Sequence, residues 1–313
     1  MEVTKWPDVP SWEKLVKASD EATFFHTPMW HEIVVQTYKE YSIATRQFTF
    51  DDGREAVFPL IQTKEGGILK GKARLKSSVF GVYGGIVSDN KLLQDQQDQI
   101  YRHLTGIKGS LSVNSNPFSE YVLPDHFTRK DGFTQVFLLQ HGEDSPYRRL
   151  SRGAKSNLNQ AGKRGVTVRT ARTEKEISTY YTIYQDTLRR WGDATLLKYP
   201  EELFLNIFKI AGDSAKIWLA EKDGKIIAGA VIFYWNNIVL YWHGVALQDY
   251  FSCYPNNMLH MEIIKDATAK GYRYYDFGPS GGQEGVVRFK KSFGAEKREF
   301  VAGRCKYRLI KRV

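Results

Sequence analysis

Two cysteines in 313 residues, Cys253 and Cys305, are too few for a disulfide framework, so both are expected as reduced thiols. Long apolar runs are also missing. No stretch approaches the roughly 20 consecutive apolar residues of a membrane-spanning helix, and the opening MEVTKWPDVPSW has no apolar signal region. The expectation is a cytoplasmic protein with no integral membrane segment, peripheral membrane contact being left open. No heptad run occurs, which excludes a coiled-coil arm. No His-Asp pair or acidic dyad of diagnostic spacing appears, and nothing calls for a bound metal. Acidic side chains are in short supply, 35 against 45 Lys and Arg, for a net charge of +10. An excess of that size suits an anionic partner: nucleic acid, a nucleotide-linked substrate or an anionic membrane.

What the chain does have is aromatic mass. With 18 Tyr, 18 Phe, 7 Trp and 42% hydrophobic residues it can fill cores, and its length suggests roughly two domains. Trp12, Leu15 and Val16 share a helical face, and Thr27 is placed to cap a helix opening at Pro28 and carrying Trp30, Ile33, Val34 and Tyr38. Strands are expected over 41–50 and 55–62, joined by an Asp-Asp-Gly turn. A basic loop over 64–77, a glycine-interrupted strand over 78–87, a helix over 91–104 and strands over 109–114 and 134–140 follow. Residues 147–172 then carry eight basic side chains and no acidic one: Arg148, Arg149, Arg152, Lys155, Lys163, Arg164, Arg169 and Arg172. This run reads as a linker helix. Its charge suits either a solvated face or the attraction of phosphates.

The second half repeats the order of the first. A strand over 166–170 leads to a helix over 174–190, capped by Thr173 with Glu176 three residues on. A helix from Pro200, strands over 215–221, 226–235 and 238–246, a helix over 256–270 ended by Gly271, a strand over 272–277 and a last strand over 300–309 complete it. The 272–277 strand opens into a turn holding Gly278, Pro279, Gly281 and Gly282, and Phe289 and Lys290 stand just beyond. Glycines at a strand end let a ligand approach the backbone, and a lysine fixed beyond such a turn can face developing negative charge. The plainer reading is a solvated lysine beside an ordinary loop.

Several spaced pieces stand out: the basic helix ending in KRGVTV, the hairpin WLAEKDGKIIAGA, the strand LYWHGV, the stretch NNMLHMEIIKDATAKGYRYYDFG and RFKKSFGAE, with FFHTPMWHEI more weakly. As a spaced set they resemble the Fem-type peptidoglycan-bridge aminoacyltransferases, whose fold is a pair of acetyltransferase (GNAT) domains. The resemblance implies an α/β chain of two tandem GNAT-like domains, placed at residues 1–145 and 146–313. It implies acyl transfer to an amine: aminoacyl-tRNA as donor, a cell-envelope precursor or amino-sugar as acceptor, and no resident cofactor. The family's Phe-Lys pair maps onto Phe289 and Lys290, with Lys290 as the charged group facing the oxyanion. Tyr241 matches a substrate-contacting tyrosine. His243 and Tyr254 are further candidates for substrate contact. Asp276 and Gly278 shape the turn, Asp276 by accepting backbone hydrogen bonds rather than by acting as a base.

Two departures bear on the substrates. A CoA-using GNAT domain carries a glycine-rich loop before its long helix, whose N–H groups hold the pyrophosphate. Here that stretch is LQDYFSCYPNN, with Pro255 and no glycine, and the first half offers only Asp89 and Asn90. Positions that hold a nucleotide-linked muramyl peptide in relatives appear here as Val34, Tyr199 and Leu203. An acyl-CoA or acyl-carrier N-acyltransferase of surface-polysaccharide synthesis therefore stands as the alternative, and a non-catalytic binding protein as a third reading.

Overall fold

A computed structural model describes residues 1–63, 73–77, 79–139, 146–192 and 197–306. The chain divides into two compact units, residues 1–132 with 299–313, and residues 133–298. A cut at 145/146 does not coincide with this division, and the strands below give the reason.

The first unit opens with β1 (Glu2–Lys5), α1 (Val9–Ala18) and α2 (Pro28–Thr37). Asp8 caps α1 by accepting from the Ser11 amide at 2.8 Å. Thr27 caps α2 by accepting from the Trp30 amide at 3.1 Å, with Pro28 at the first helical position, where its missing N–H loses nothing. Then come β2 (Tyr41–Ile43), β3 (Arg46–Thr49), β4 (Glu55–Phe58), β5 (Ile61–Thr63), β6 (Ala73–Lys76), β7 (Val87–Ser88), α3 (Gln94–Thr105) and β8 (Gly109–Asn114). One sheet runs β1-β3-β4-β7; β2, β5, β6 and β8 pair in turn in a second. Phe48, Phe58, Ile100, Tyr101, Leu111 and Val113 are buried in its core.

Two expectations fail here. The basic stretch 64–77 was expected as a loop, yet Ala73–Lys76 is a strand paired in parallel with Gly109–Ser112, so sheet pairing overrides its charge. Residues 79–86 were expected as strand and are irregular. Gly84 lies so close to Ser77 that a Cβ there would fall 2.1 Å from the Ser77 Oγ, and Gly85 takes a φ of +112°. Such a path fits glycine, not a regular pleat.

The second unit carries β9 (Thr128–Leu138), whose first residues belong to the first unit, then α4 (Arg152–Lys163), β10 (Thr167–Thr170), α5 (Glu174–Trp191) and α6 (Glu201–Ile210). Thr173 accepts from the Glu176 amide while Glu176 accepts from the Thr173 amide, a reciprocal cap. Next are β11 (Ala215–Lys222), β12 (Lys225–Trp235), β13 (Ile238–Ala246), α7 (Pro255–Ala269), β14 (Tyr274–Asp276), α8 (Glu284–Ser292) and β15 (Glu296–Lys306). Strands β10 to β13 are an antiparallel meander. β14 then pairs in parallel with β13, but only from Ile238↔Tyr274 to Leu240↔Asp276. Beyond Leu240 the two strands part. β9 closes this sheet on β14, while β15 pairs with β8 of the first unit. That exchange of last strands is why the units do not follow the sequence cut. Part of the last predicted strand, and the tail beyond Lys306, lie outside the described residues. Among the described residues no helix is long and apolar enough to cross a membrane.

The FFHTPMWH segment of the first unit buries two histidines. His26 Nδ1 accepts from the Thr23 amide at 3.0 Å, and His31 Nδ1 donates to the Thr27 carbonyl at 3.0 Å. Burial pushes both imidazoles down to about 4. A folded value below the unfolded 6.5 means that protons favour the unfolded chain, so each site's contribution is intact above about 6.5 and is lost as pH falls toward 4. From these values each histidine costs on the order of 3 kcal/mol by the bottom of that window. Thermal unfolding measured from pH 7 to pH 4 should show a steep fall in Tm that is shallower in His31→Gln. Equal slopes in the two proteins would remove histidine burial as the cause.

Candidate active site

The site is built where β13 and β14 separate. Asp276, the last residue of β14, is fully buried. Its Oδ1 accepts from the Thr134 hydroxyl on β9 and from the Gly278 amide at 2.8 Å. Gly278 has φ +69°, and a Cβ there would lie 2.8 Å from the Tyr241 carbonyl oxygen. Glycine is required twice at this point, for the left-handed backbone and for the close approach of β13. Gln135, next along β9, donates to the Val287 carbonyl at 3.2 Å and accepts the Phe277 amide on its own carbonyl at 2.9 Å. The turn is thus fixed from β9 on one side and from α8 on the other.

Helix α8 was not expected as a helix, and it buries the lysine of the Phe-Lys pair rather than leaving it solvated beside a loop. Lys290 is 3% exposed, whereas Phe289 is only partly buried, packed against the core of the unit. Lys290 Nζ reaches back under the turn and donates to the carbonyls of Gly278 at 2.6 Å and Pro279 at 3.2 Å. Gly278 is therefore held at its N–H by Asp276 and at its C=O by Lys290. Burial pushes the Lys290 ammonium down to about 8, an effect opposed by the charge of Asp276. Lys291, one residue on, is exposed.

Tyr241 comes to the same place. Its ring lies 4.8 Å from that of His260 on α7, which in turn lies 5.4 Å from Phe289. Burial pushes the Tyr241 phenol up to about 12, so it is neutral. His260 was missed by the sequence reading. It is buried, bonded through Nδ1 to the Tyr275 hydroxyl at 2.7 Å, and held down to about 3 by burial and then by the Lys290 charge. Its signal in the sequence was its place on the apolar side of α7, beside Leu259, Ile263 and Ile264.

His243 and Tyr254 do not join this group. The register of β12 on β13 slips between Val231↔His243 and Ile232↔Tyr241, which leaves Trp242 as an extra residue. The bulge turns His243 away from α7 and toward α5, where its Nδ1 bonds the Tyr180 hydroxyl at 2.6 Å and its ring packs on Tyr184 and Phe204. Burial pushes that imidazole down to about 3. Tyr254 sits immediately before α7 in the left-handed conformation at φ +53°. Its carbonyl accepts the amides of Asn257 and Met258, and Pro255 has no N–H to give. Arg164 lies 5.7 Å from the Tyr254 ring and donates to the Ser252 carbonyl.

The basic run is in large part spoken for. Arg149 lies 4.0 Å from the Phe137 ring and donates to the Leu138 carbonyl, and Lys155 donates to the Arg148 carbonyl at 3.1 Å. Arg169 pairs with Glu176 at 2.6 Å and Glu221 at 2.5 Å. With Arg164, four of the eight cations serve the fold. A separate cavity of about 210 Å³ in the first unit is lined by Asp20, Glu21, Asp89, Lys91, Glu120 and Tyr121 among others, and it contains none of the site residues.

A mixed sheet whose strands β13 and β14 part beyond Leu240, with α7 joining them, has the form of the GNAT fold. Residues 147–291 match the acetyltransferase (GNAT) domain family. The whole chain has the Fem-type tandem form of that fold. It is similar to the crystal structure of FemX, with a TM-score of 0.73 and 16% identity over 96% of this chain and 97% of that one. It is similar also to a tandem GNAT protein from the clavulanic acid biosynthesis pathway (TM-score 0.58, 11% identity, 98% and 99% of the two chains). A third similar structure is the C-terminal domain of a putative lysylphosphatidylglycerol synthetase from Agrobacterium fabrum (TM-score 0.57, 14% identity, 94% and 91%). No curated protein sequence matches the chain.

Lys290 fixes the turn as well as supplying charge, so Lys290→Met should lower stability. The loss should be on the order of 1–3 kcal/mol in denaturant unfolding, because the buried carbonyls of Gly278 and Pro279 lose their donor. A variant as stable as the parent would show that those bonds carry no weight. The Gly278→Ala chain, strained at the same point, should lose stability with Lys290 still in place.

Proposed function

We propose that the chain transfers an acyl group to an amine at the Lys290 turn, with aminoacyl-tRNA as donor and a cell-envelope precursor as acceptor. The observation that carries the transfer reading is the disposition of the Lys290 ammonium. Two of its three N–H donors go to the Gly278 and Pro279 carbonyls, and the third is left for a substrate oxygen. In the reaction the acceptor amine attacks the ester carbonyl, an N–C bond forms, and the carbonyl oxygen becomes an oxyanion. Collapse breaks the C–O bond and the amine proton leaves with the tRNA 3′ oxygen. A fixed cation at the oxyanion lowers that barrier by roughly 2.7–4 kcal/mol, judged by the loss of single oxyanion-hole donors. Phe289 and Tyr241 line the approach, and Asp276 and Gly278 hold the turn that aims the ammonium.

The choice of donor rests on the start of α7. A CoA pyrophosphate needs free amides at that helix end. Here Pro255 has none, and the amides of Asn257 and Met258 are turned onto the Tyr254 carbonyl. This favours an ester donor without a pyrophosphate, and tRNA suits the net charge of +10. Such a donor places the reaction in the cytoplasm, with no resident cofactor.

Incubation with charged total tRNA or with an acyl-CoA panel, each with cell extract, followed by mass spectrometry of labelled amines, separates the readings. Label from tRNA and none from CoA is the expected result. Label from acyl-CoA alone would instead establish the N-acyltransferase alternative, and label from neither would leave a binding protein. With the active donor, the rate divided by the fraction of acceptor amine that is deprotonated should be level below about pH 8 and fall above it as Lys290 loses its proton. A corrected rate that stays level through pH 8 to 10 would exclude a charged Lys290 from the transition state.

A further inference from the structure

The four-stranded sheet of the first unit separates charge between its faces. In the antiparallel pairing of β1 with β3, Lys5 stands opposite Arg46 and Val3 opposite Phe48, so these four side chains leave one face. Glu2 stands opposite Thr49, and Thr49 opposite Glu55, so the acids of these strands leave the other face. A histidine reaches the Lys5–Arg46 face from α3, where the His103 ring packs edge-on against Phe48 at 5.7 Å. Asp8, three residues beyond Lys5, is occupied by Ser11.

Arg46 is 7% exposed and has no carboxylate partner among the described residues. Its Nη1 donates to the carbonyls of Ala44 at 2.5 Å and Thr45 at 3.0 Å. Its Nε is buried without an acceptor, and so is the Nε2 of His103. A buried guanidinium with an empty Nε edge is costly in the absence of a ligand. That edge presents two parallel N–H donors, the fork that matches two oxygens of a phosphate. Trp6 lies over the guanidinium at 5.5 Å, is 65% exposed, and is held at φ +56° with its amide on the Thr45 carbonyl. A bulky residue seldom adopts that backbone conformation. Burial and then the charges of Arg46 and Lys5 hold the His103 imidazole below the usual histidine value, as expected of a neutral ring beside two cations.

We propose that Arg46, Lys5 and His103, beneath the ring of Trp6, form a binding site for a phosphate group. Arg46 supplies the bidentate edge, His103 Nε2 a further donor, and Lys5 a mobile charge at the mouth. An exposed indole above the guanidinium suits two sources of that phosphate. One is a soluble diphosphate ester; the other is the headgroup of an anionic phospholipid, with Trp6 at the lipid interface. The site is independent of the Lys290 turn.

The test uses the full chain in chloride-poor buffer with two probes. Inorganic pyrophosphate is titrated calorimetrically while the His103 ring is followed by NMR. Vesicles of phosphatidylglycerol in phosphatidylcholine are compared with phosphatidylcholine alone by co-sedimentation. Binding of pyrophosphate should raise the pH at which His103 titrates, and Arg46→Met should weaken it by roughly tenfold or more. Because Arg46 is buried and that variant can fail to fold, the partly exposed pair Lys5→Ser and His103→Gln is made in parallel. Its fold is verified by circular dichroism, and it should show the same direction of loss. Pyrophosphate binding without vesicle preference identifies a soluble ester; a vesicle preference lost in the same variants identifies a lipid headgroup. No binding of either probe, or binding unchanged in the Lys5→Ser/His103→Gln chain, overturns the proposal.

Discussion

Gly278 is held through its two flanking peptide groups by opposite charges. Asp276 accepts its N–H and Lys290 donates to its C=O, and the rest of the site takes its position from that pair of bonds. Neither charge is affordable alone in a buried place, since an unpaired ion in the interior is strongly disfavoured. Together they share one residue, and a turn that relaxes between them loses a bond to each charge. The strand opening at Leu240 depends on the same clamp, because the Tyr241 carbonyl packs against Gly278 where any side chain would intrude.

Much of this architecture was legible in the residues. Thr27 before Pro28 and Thr173 before Glu176 announced helix starts through local chemistry, and local chemistry survives folding. The meander 215–246 was legible because its turns, Asp-Gly and Asn-Asn, and its apolar pattern agree. What was hidden depends on partners distant in sequence. Ala73–Lys76 is basic and looks like a loop until Gly109–Ser112 pairs with it. Residues 79–86 carry strand-like residues, yet Ser77 crowds Gly84 and the segment cannot pleat.

The site divides along the same line. The glycine turn and the Phe-Lys pair could be located, but which member of the pair is buried could not. A lysine goes inside only when carbonyls wait for it, and those of Gly278 and Pro279 are offered by a turn that β9 fixes. His243 was a reasonable candidate by alternation from Tyr241. A single extra residue at Trp242 sent it to the other side of the sheet. His260 carried no motif at all, and only helix packing brings it to Phe289.

The exchange of last strands has a consequence for how the molecule comes into being. Residues 133–298 are continuous, so that unit has its own sheet, including Val136–Leu138 on β14, as soon as residue 298 has left the ribosome. The first unit is made first but lacks β15, whose Ala302–Lys306 pairs with Ser110–Asn114 from the far end of the chain. Until residues 302–306 emerge, the edge of β8 that β15 will cover stays open, with unpaired N–H and C=O groups along it. Such an edge is a template for mispairing, and long-range pairing of this kind closes slowly. Synthesis order and folding order are therefore reversed here: the half that emerges first is the half that finishes last.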